Sequence, residues 1–338
     1  MARSSVLEIP SHPLEGIPTP IDGNTLAHSL TLDPQSLWYL ALSIRDLYTV
    51  HKIPKKSGGV RTLHVPSPRL AYCQRQILRT YLDQVPYPEE VKAYVRGRAL
   101  VESAKVHAGR SELIVVDLKD FFPSTRRQWV KAALAKTLGL NTEVTELLAS
   151  LVTTPWSKDA GPQDAWVVPQ GAPTSGAVAN IVAMDRLDPL VQNICEKYQM
   201  QYTRYADDLA FSPREKREVT PLRAGVFIKE IIAAVKESGY RVNYDKIRVQ
   251  RPHRQQRLLG MSINEKPNIP TPEYRKACAM AHNLARGGAA AALRMGFVDT
   301  DTCEAHLRGM AAYFAGVNPE KARQVLRRLE GTHRALGL

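Results

Sequence analysis

Apolar and polar positions divide the chain into short β-type runs separated by helical stretches. The runs 48–54 and 60–66 flank Lys55-Lys56-Ser57-Gly58-Gly59, and the glycine pair predicts a β-hairpin. Upstream, Asp33-Pro34 reads as N-cap and first turn of a helix over 34–48, with Leu37, Leu40, Ala41 and Ile44 on one face. A helix over 68–83 follows the hairpin, then a basic stretch over 91–110. The apolar run Leu113-Ile114-Val115-Val116 predicts a strand that ends at Asp117. Helices are predicted over 127–137, 142–152 and 175–198, with a polar loop at 155–164. Two further β-type runs, 202–205 and 209–212, enclose Ala206-Asp207-Asp208 and predict a second hairpin. An amphipathic helix over 222–238 and strands near 240–242 and 256–263 come next. Thr271-Pro272 opens a helical C-terminal region with segments near 272–286, 288–295, 300–315 and 318–335. Residues 1–32 hold Pro10, Pro13, Pro18 and Pro20 with little periodicity and predict an extended arm.

A chain of 338 residues with 44% apolar content is long enough for a large core and two or three subdomains. Lys and Arg outnumber Asp and Glu 46 to 33, a net charge of +13, and the pI is about 9.6. Such an excess suits a partner rich in phosphates. The cysteines, Cys73, Cys195, Cys278 and Cys303, form neither a C-x-x-C pair nor a zinc-finger spacing with histidine. Reduced thiols in the cytoplasm are the expectation. No signal peptide is seen, and no run reaches the ~20 apolar residues of a membrane helix, so no membrane partner is expected.

The chemistry concentrates on three acids. Asp207 and Asp208 are adjacent at a tight turn, where like charges repel unless a cation lies between them. Asp117 ends a strand 90 residues earlier. Hard divalent ions favour carboxylate oxygens, and two ions roughly 4 Å apart clamp the attacking and leaving oxygens of an in-line phosphoryl displacement.

Four ordered blocks carry a resemblance to reverse transcriptases, above all to the bacterial retron enzymes. They are 116–124 (Val-Asp-Leu-Lys-Asp-Phe-Phe-Pro-Ser), 169–175 (Pro-Gln-Gly-Ala-Pro-Thr-Ser), 202–208 (Tyr-Thr-Arg-Tyr-Ala-Asp-Asp), and Asn243-Tyr244-Asp245-Lys246 followed by Leu258-Leu259-Gly260. The sequence departs from the retron pattern at Ser103-Ala104-Lys105-Val106-His107, at Leu258-Leu259-Gly260, and at Gly176, where proline is usual.

The resemblance implies an α+β right-hand polymerase with a ferredoxin-like palm. The implied boundaries are an N-terminal arm at 1–32, fingers at 33–112 with insertions at 125–168, a palm at 113–265 and a helical thumb at 266–338. It implies an RNA-directed DNA polymerase using two Mg2+ ions, for which Mn2+ can substitute, held by Asp117, Asp207, Asp208 and the backbone carbonyl of Leu118. Lys246 is the implied proton donor to pyrophosphate. Arg61 and Lys55, with Lys52 and Lys56 competing for the second role, would hold the triphosphate. Phe122 would be the steric gate against a 2′ hydroxyl, Gln170 would lie near the base or ribose, and Leu259, Gly260 and Met261 would form the primer grip. Implied partners are a structured noncoding RNA as template and primer, dNTPs, the DNA product and an effector protein in phage defence, with a branched RNA–DNA (msDNA-like) product. A standalone group II intron-like or CRISPR-associated reverse transcriptase and an inactive RNA-binding scaffold are the alternatives at this point.

Overall fold

The computed structural model describes residues 17, 19–54, 58–156, 166–215 and 221–336. In chain order, helices α1 (Gly23–Ser29) and α2 (Pro34–Leu42) lead into a hairpin of strands β1 (Tyr48–Pro54) and β2 (Val60–Pro66), followed by α3 (Pro68–Thr80) and α4 (Leu100–His107). Strand β3 (Leu113–Asp117), the one-turn helix α5 (Phe121–Ser124), α6 (Arg127–Leu138) and α7 (Thr142–Val152) come next. A pair of two-residue strands, β4 (Thr154–Pro155) and β5 (Trp166–Val167), precedes α8 (Ser175–Arg186) and α9 (Asp188–Tyr198). Strands β6 (Met200–Tyr205) and β7 (Asp208–Pro213), helix α10 (Pro221–Glu237) and strands β8 (Arg248–Gln250), β9 (Arg257–Leu258) and β10 (Met261–Ser262) lead to the final helices. These are α11 (Thr271–Arg294), α12 (Thr300–Val317) and α13 (Pro319–Leu336). The fold class is α+β, as expected.

Strands β6, β7, β3 and β8 are hydrogen-bonded in that order into a four-stranded sheet. All five residues of β3 are buried, which is why its sequence is a continuous apolar run and not an alternation. Each fully buried aliphatic side chain there contributes roughly 1.5–3 kcal/mol.

The chain forms two compact units. The first comprises Met1–Arg98, Val116–Leu209 and Val219–Ile247; the second comprises Ala99–Val115, Ala210–Glu218 and Arg248–Leu338. In the first, β1 and β2 form the expected hairpin, with Tyr48 opposite Pro66 and Ile53 opposite Arg61. Lys55 and Lys56 lie outside the described residues, as does most of the 155–164 loop. In the second unit, β3 and β8 pair antiparallel with Leu113 opposite Gln250. A core of Ala104, Leu113, Val115, Ala210, Leu258, Met261 and Ile263 lies there.

Several elements differ from the sequence reading. The arm over 1–32 contains a helix, α1, whose N-cap Asp22 exchanges hydrogen bonds with Thr25 in a capping box. The helix expected over 34–48 ends at Leu42, a short 3-10 turn intervenes, and Tyr48 already starts β1. The single helix expected over 175–198 is two, because Pro189 occupies the first turn of α9 and has no amide to continue α8. The two segments expected at 272–286 and 288–295, by contrast, are borne out: α11 is two helical stretches that meet in a kink at Gly288 (φ 45°, ψ −132°). That backbone is open to glycine and strained for any other residue.

Candidate active site

Asp117 closes the buried strand β3, so its carboxylate is delivered at the end of a rigid element. The backbone there is fastened on both sides: Leu118 N–H donates to the Asp207 carbonyl (2.8 Å), and Asn243 N–H donates to the Asp117 carbonyl (2.8 Å). Asp117 is buried, and its carboxylate accepts from Asn243 Nδ2 at 3.0 Å and from Lys246 Nζ at 2.8 Å. Asp207 sits in the turn between β6 and β7, which is made by Ala206 in the left-handed region (φ 58°). Burial first, and the Asp117 charge after it, raise the Asp207 carboxyl above the ordinary aspartate range, while Lys246 and Arg61 pull it down. The hydrogen bond to Asp117 raises the Lys246 ammonium, and the charges of Asp117, Asp207 and Asp208 add to it.

These groups line a cleft of about 660 Å3 within the first unit, together with Ile53, Arg61, Tyr94, Leu118, Phe122, Gln170 and Asn243. The structure therefore brings Asp117, Asp207, Lys246, Arg61, Phe122, Gln170 and Leu118 together. Asp208 acts on the same lysine through its charge. Gln170 is fixed by its carbonyl, which accepts from His64 N–H of β2 at 2.8 Å. Gly171, at φ 123°, permits that approach: a Cβ there would lie 3.1 Å from the His64 carbonyl oxygen. The ring of Phe122 stands on the one-turn helix α5, whose N-cap Asp120 is left-handed (φ 52°).

Leu259, Gly260 and Met261 belong to the β9–β10 hairpin of the second unit. Leu259 (φ 49°) and Gly260 (φ 81°) form a turn with two left-handed residues. The Tyr313 hydroxyl of α12 donates to the Leu259 carbonyl at 3.5 Å.

Sequence reasoning missed the support of the acid hairpin. Arg204, fully buried in β6, donates to both Asp188 oxygens and, at 2.7 Å, to Asn180 Oδ1. Tyr202 also donates to Asp188 (2.9 Å), and Asn180 Nδ2 donates to the Ala93 carbonyl (2.7 Å). The signal for Asp188 was the Asp-Pro pair that starts α9. Nothing local marked Arg204 as buried.

Among the described residues, no group of three or more His, Cys, Asp or Glu side chains is close enough to form a metal cage. The donor chemistry nevertheless suits a hard divalent cation. Asp117 holds one cationic group, Lys246, and Asp207 adds a second carboxyl to the same cleft, the hard oxygen donors such an ion takes. No helix among the described residues is long and apolar enough to cross a membrane.

The model of the family "Reverse transcriptase (RNA-dependent DNA polymerase)" matches residues 53–263, a span that contains every acid of the cleft. The chain belongs to the reverse transcriptase family, and within it to the retron type. It is 35% identical over 294 residues to the retron Mx65 reverse transcriptase of Myxococcus xanthus, covering 83% of this chain and 64% of that one. To the retron Mx162 reverse transcriptase of the same organism it is 32% identical over 305 residues, covering 83% and 60%. The chain thus spans under two thirds of the length of these two relatives. Among solved structures, an apo telomerase from Candida tropicalis, truncated from its C-terminal domain, superimposes with a TM-score of 0.48 at 14% identity, covering 70% of this chain and 59% of that one.

Proposed function

We propose that the chain is an RNA-directed DNA polymerase that copies a structured noncoding RNA into a branched RNA–DNA product. The single observation that carries this reading is the placement of buried Asp117 and half-buried Asp207 with Lys246 in a cleft that Arg61 and Phe122 also line. In this reading 33–112 act as fingers, 113–265 as palm and 266–338 as thumb. Two Mg2+ ions, held by Asp117, Asp207, Asp208 and the Leu118 carbonyl, would supply charge neutralisation for the phosphates and the attacking oxygen. Arg61 presents a planar fork to the triphosphate. Gln170 borders the incoming base or ribose, and Phe122 closes the space a 2′ hydroxyl would need. Lys246, kept protonated by its acid partners, gives its proton to the leaving pyrophosphate. The β9–β10 turn holds the primer end. An RNA that folds to present its own 2′ hydroxyl as primer makes initiation effectively unimolecular. A short DNA so produced would serve with an effector protein in defence against phage.

The test is primer extension on an RNA template with Mg2+ or Mn2+, alongside RNA binding. Asp207→Asn is expected to lower extension by roughly 10^2–10^3-fold or more and to leave RNA affinity near that of the wild type. Full activity of this variant would refute the assignment. For the product, nucleic acid from cells carrying the gene and its flanking DNA is treated with RNase and then with debranching enzyme. A stepwise shift of a short DNA band is expected; a DNA without a branch refutes the branched product alone.

A further inference from the structure

We propose that Tyr94 is a positioning residue for Phe122 and so sets how strictly the cleft discriminates deoxyribose from ribose. The proposal rests on the reading of Phe122 as the sugar gate.

Tyr94 lies in the loop between α3 and α4, lines the cleft and is 51% exposed. Its ring meets the Phe122 ring edge-on, with centroids 6.0 Å apart and planes at 60°. Phe122 also packs against Phe121 (5.6 Å), which packs against the buried Tyr240 (5.4 Å). Phe122 therefore has two aromatic neighbours, Phe121, which leads into the core, and Tyr94.

The backbone around Tyr94 is unusually constrained. Tyr94 itself has φ 56°, a conformation that a bulky aromatic residue adopts only where its surroundings over-determine it. Lys92 N–H donates to the Arg204 carbonyl (2.8 Å), and Asn180 holds the Ala93 carbonyl. The Arg98 guanidinium donates to the carbonyls of Tyr87, Pro88 and Val91. The same buried arginine that supports the acid hairpin thus also anchors this loop.

Gly176 completes the arrangement. A Cβ at that position would stand 2.2 Å from Tyr94 Cγ and 2.7 Å from Tyr94 Cβ. The Tyr94 Cβ is not a flexible tip, so any side chain at 176 displaces the whole residue. Gly176 sits in the first turn of α8 with helical dihedrals, where alanine would otherwise be favoured. Its glycine makes room for Tyr94. A rotamer-locked neighbour of this kind is what holds a gate to the tolerance that discrimination needs.

Single-nucleotide incorporation kinetics on a primed RNA template, comparing each dNTP with its rNTP, test the proposal. Tyr94→Leu is expected to lower the deoxy-to-ribo ratio of kcat/KM by about 2- to 10-fold, the worth of an aromatic pair. Tyr94→Phe should retain the wild-type ratio. Gly176→Ala should reproduce the Leu variant's ratio, and should add nothing when Tyr94→Gly has removed the ring. In a Phe122→Val background, Tyr94→Leu should leave the ratio where Phe122→Val put it. An unchanged ratio in Tyr94→Leu, or an equal loss of rate with both sugars, overturns the proposal while leaving the gate intact. An unchanged ratio in Phe122→Val removes the gate reading itself, and the role of Tyr94 with it.

Discussion

The acid-lined cleft of the first unit and the three-helix tail of the second put arginine to opposite uses. Around the cleft, Arg204 is 0% exposed, and its donors are aimed at Asp188 and Asn180. Its charge is consumed in holding β6 and the acid turn. In the tail, α11, α12 and α13 meet through small and larger apolar residues in two seams. Ala277, Phe314 and Val325 belong to one; Ala281, Leu284, Leu307 and Leu329 belong to the other. Arg275, Lys276, Arg286, Arg294 and Arg327 remain exposed on the outside. A cation turned inward fixes geometry; a cation turned outward makes a field. Residue type alone does not distinguish the two, because burial is decided by partners distant in the chain.

The comparison can be broken at its strongest point first. Arg204→Met strands the Asp188 carboxylate in the core and is expected to cost about 3–5 kcal/mol of stability, read as a lower urea midpoint. Arg204→Lys should recover only part of it, since an ammonium lacks the guanidinium fork. A loss under 1 kcal/mol would mean that the buried charge positions nothing.

On the outward-facing side, affinity for a structured RNA should fall about a thousandfold between 50 and 200 mM salt if roughly six phosphates are contacted. A flat response would show that the exposed arginines form no nucleic-acid field. Next in size, Phe122→Val should relax sugar discrimination by about 1–3 kcal/mol in single-nucleotide kinetics, with little change in RNA affinity. The smallest expected effect is that of one outward cation. Arg286→Ala should weaken RNA binding evenly across sequences and reduce the salt slope by about one contact, with the urea midpoint unmoved.

Much of the cleft was legible because its signals are local. Asp117 follows an unbroken apolar run, Asp207 and Asp208 sit between two β-type runs, and Asp33-Pro34 caps α2 as expected. The α11 kink was legible as the break between the segments 272–286 and 288–295. What escaped was non-local. Tyr94 looked like one aromatic in a basic stretch, and its meaning depends on Gly176, 82 positions later. Arg204 stands in the β-type run 202–205 with nothing local to mark its burial against Asp188. Helix α1 was hidden by the prolines before it, although Asp22 and Thr25 at N-cap and N3 were a readable cap.

The contact between Lys246 and Asp117 makes the cleft behave as an ion exchanger. Its counter-ion belongs to the chain, sits half in solvent and never diffuses away. A tethered ion has an effective concentration that dilution cannot lower. In the proposed two-ion reading, a cation arriving from solution would compete with a permanent resident, and charge would enter by substitution.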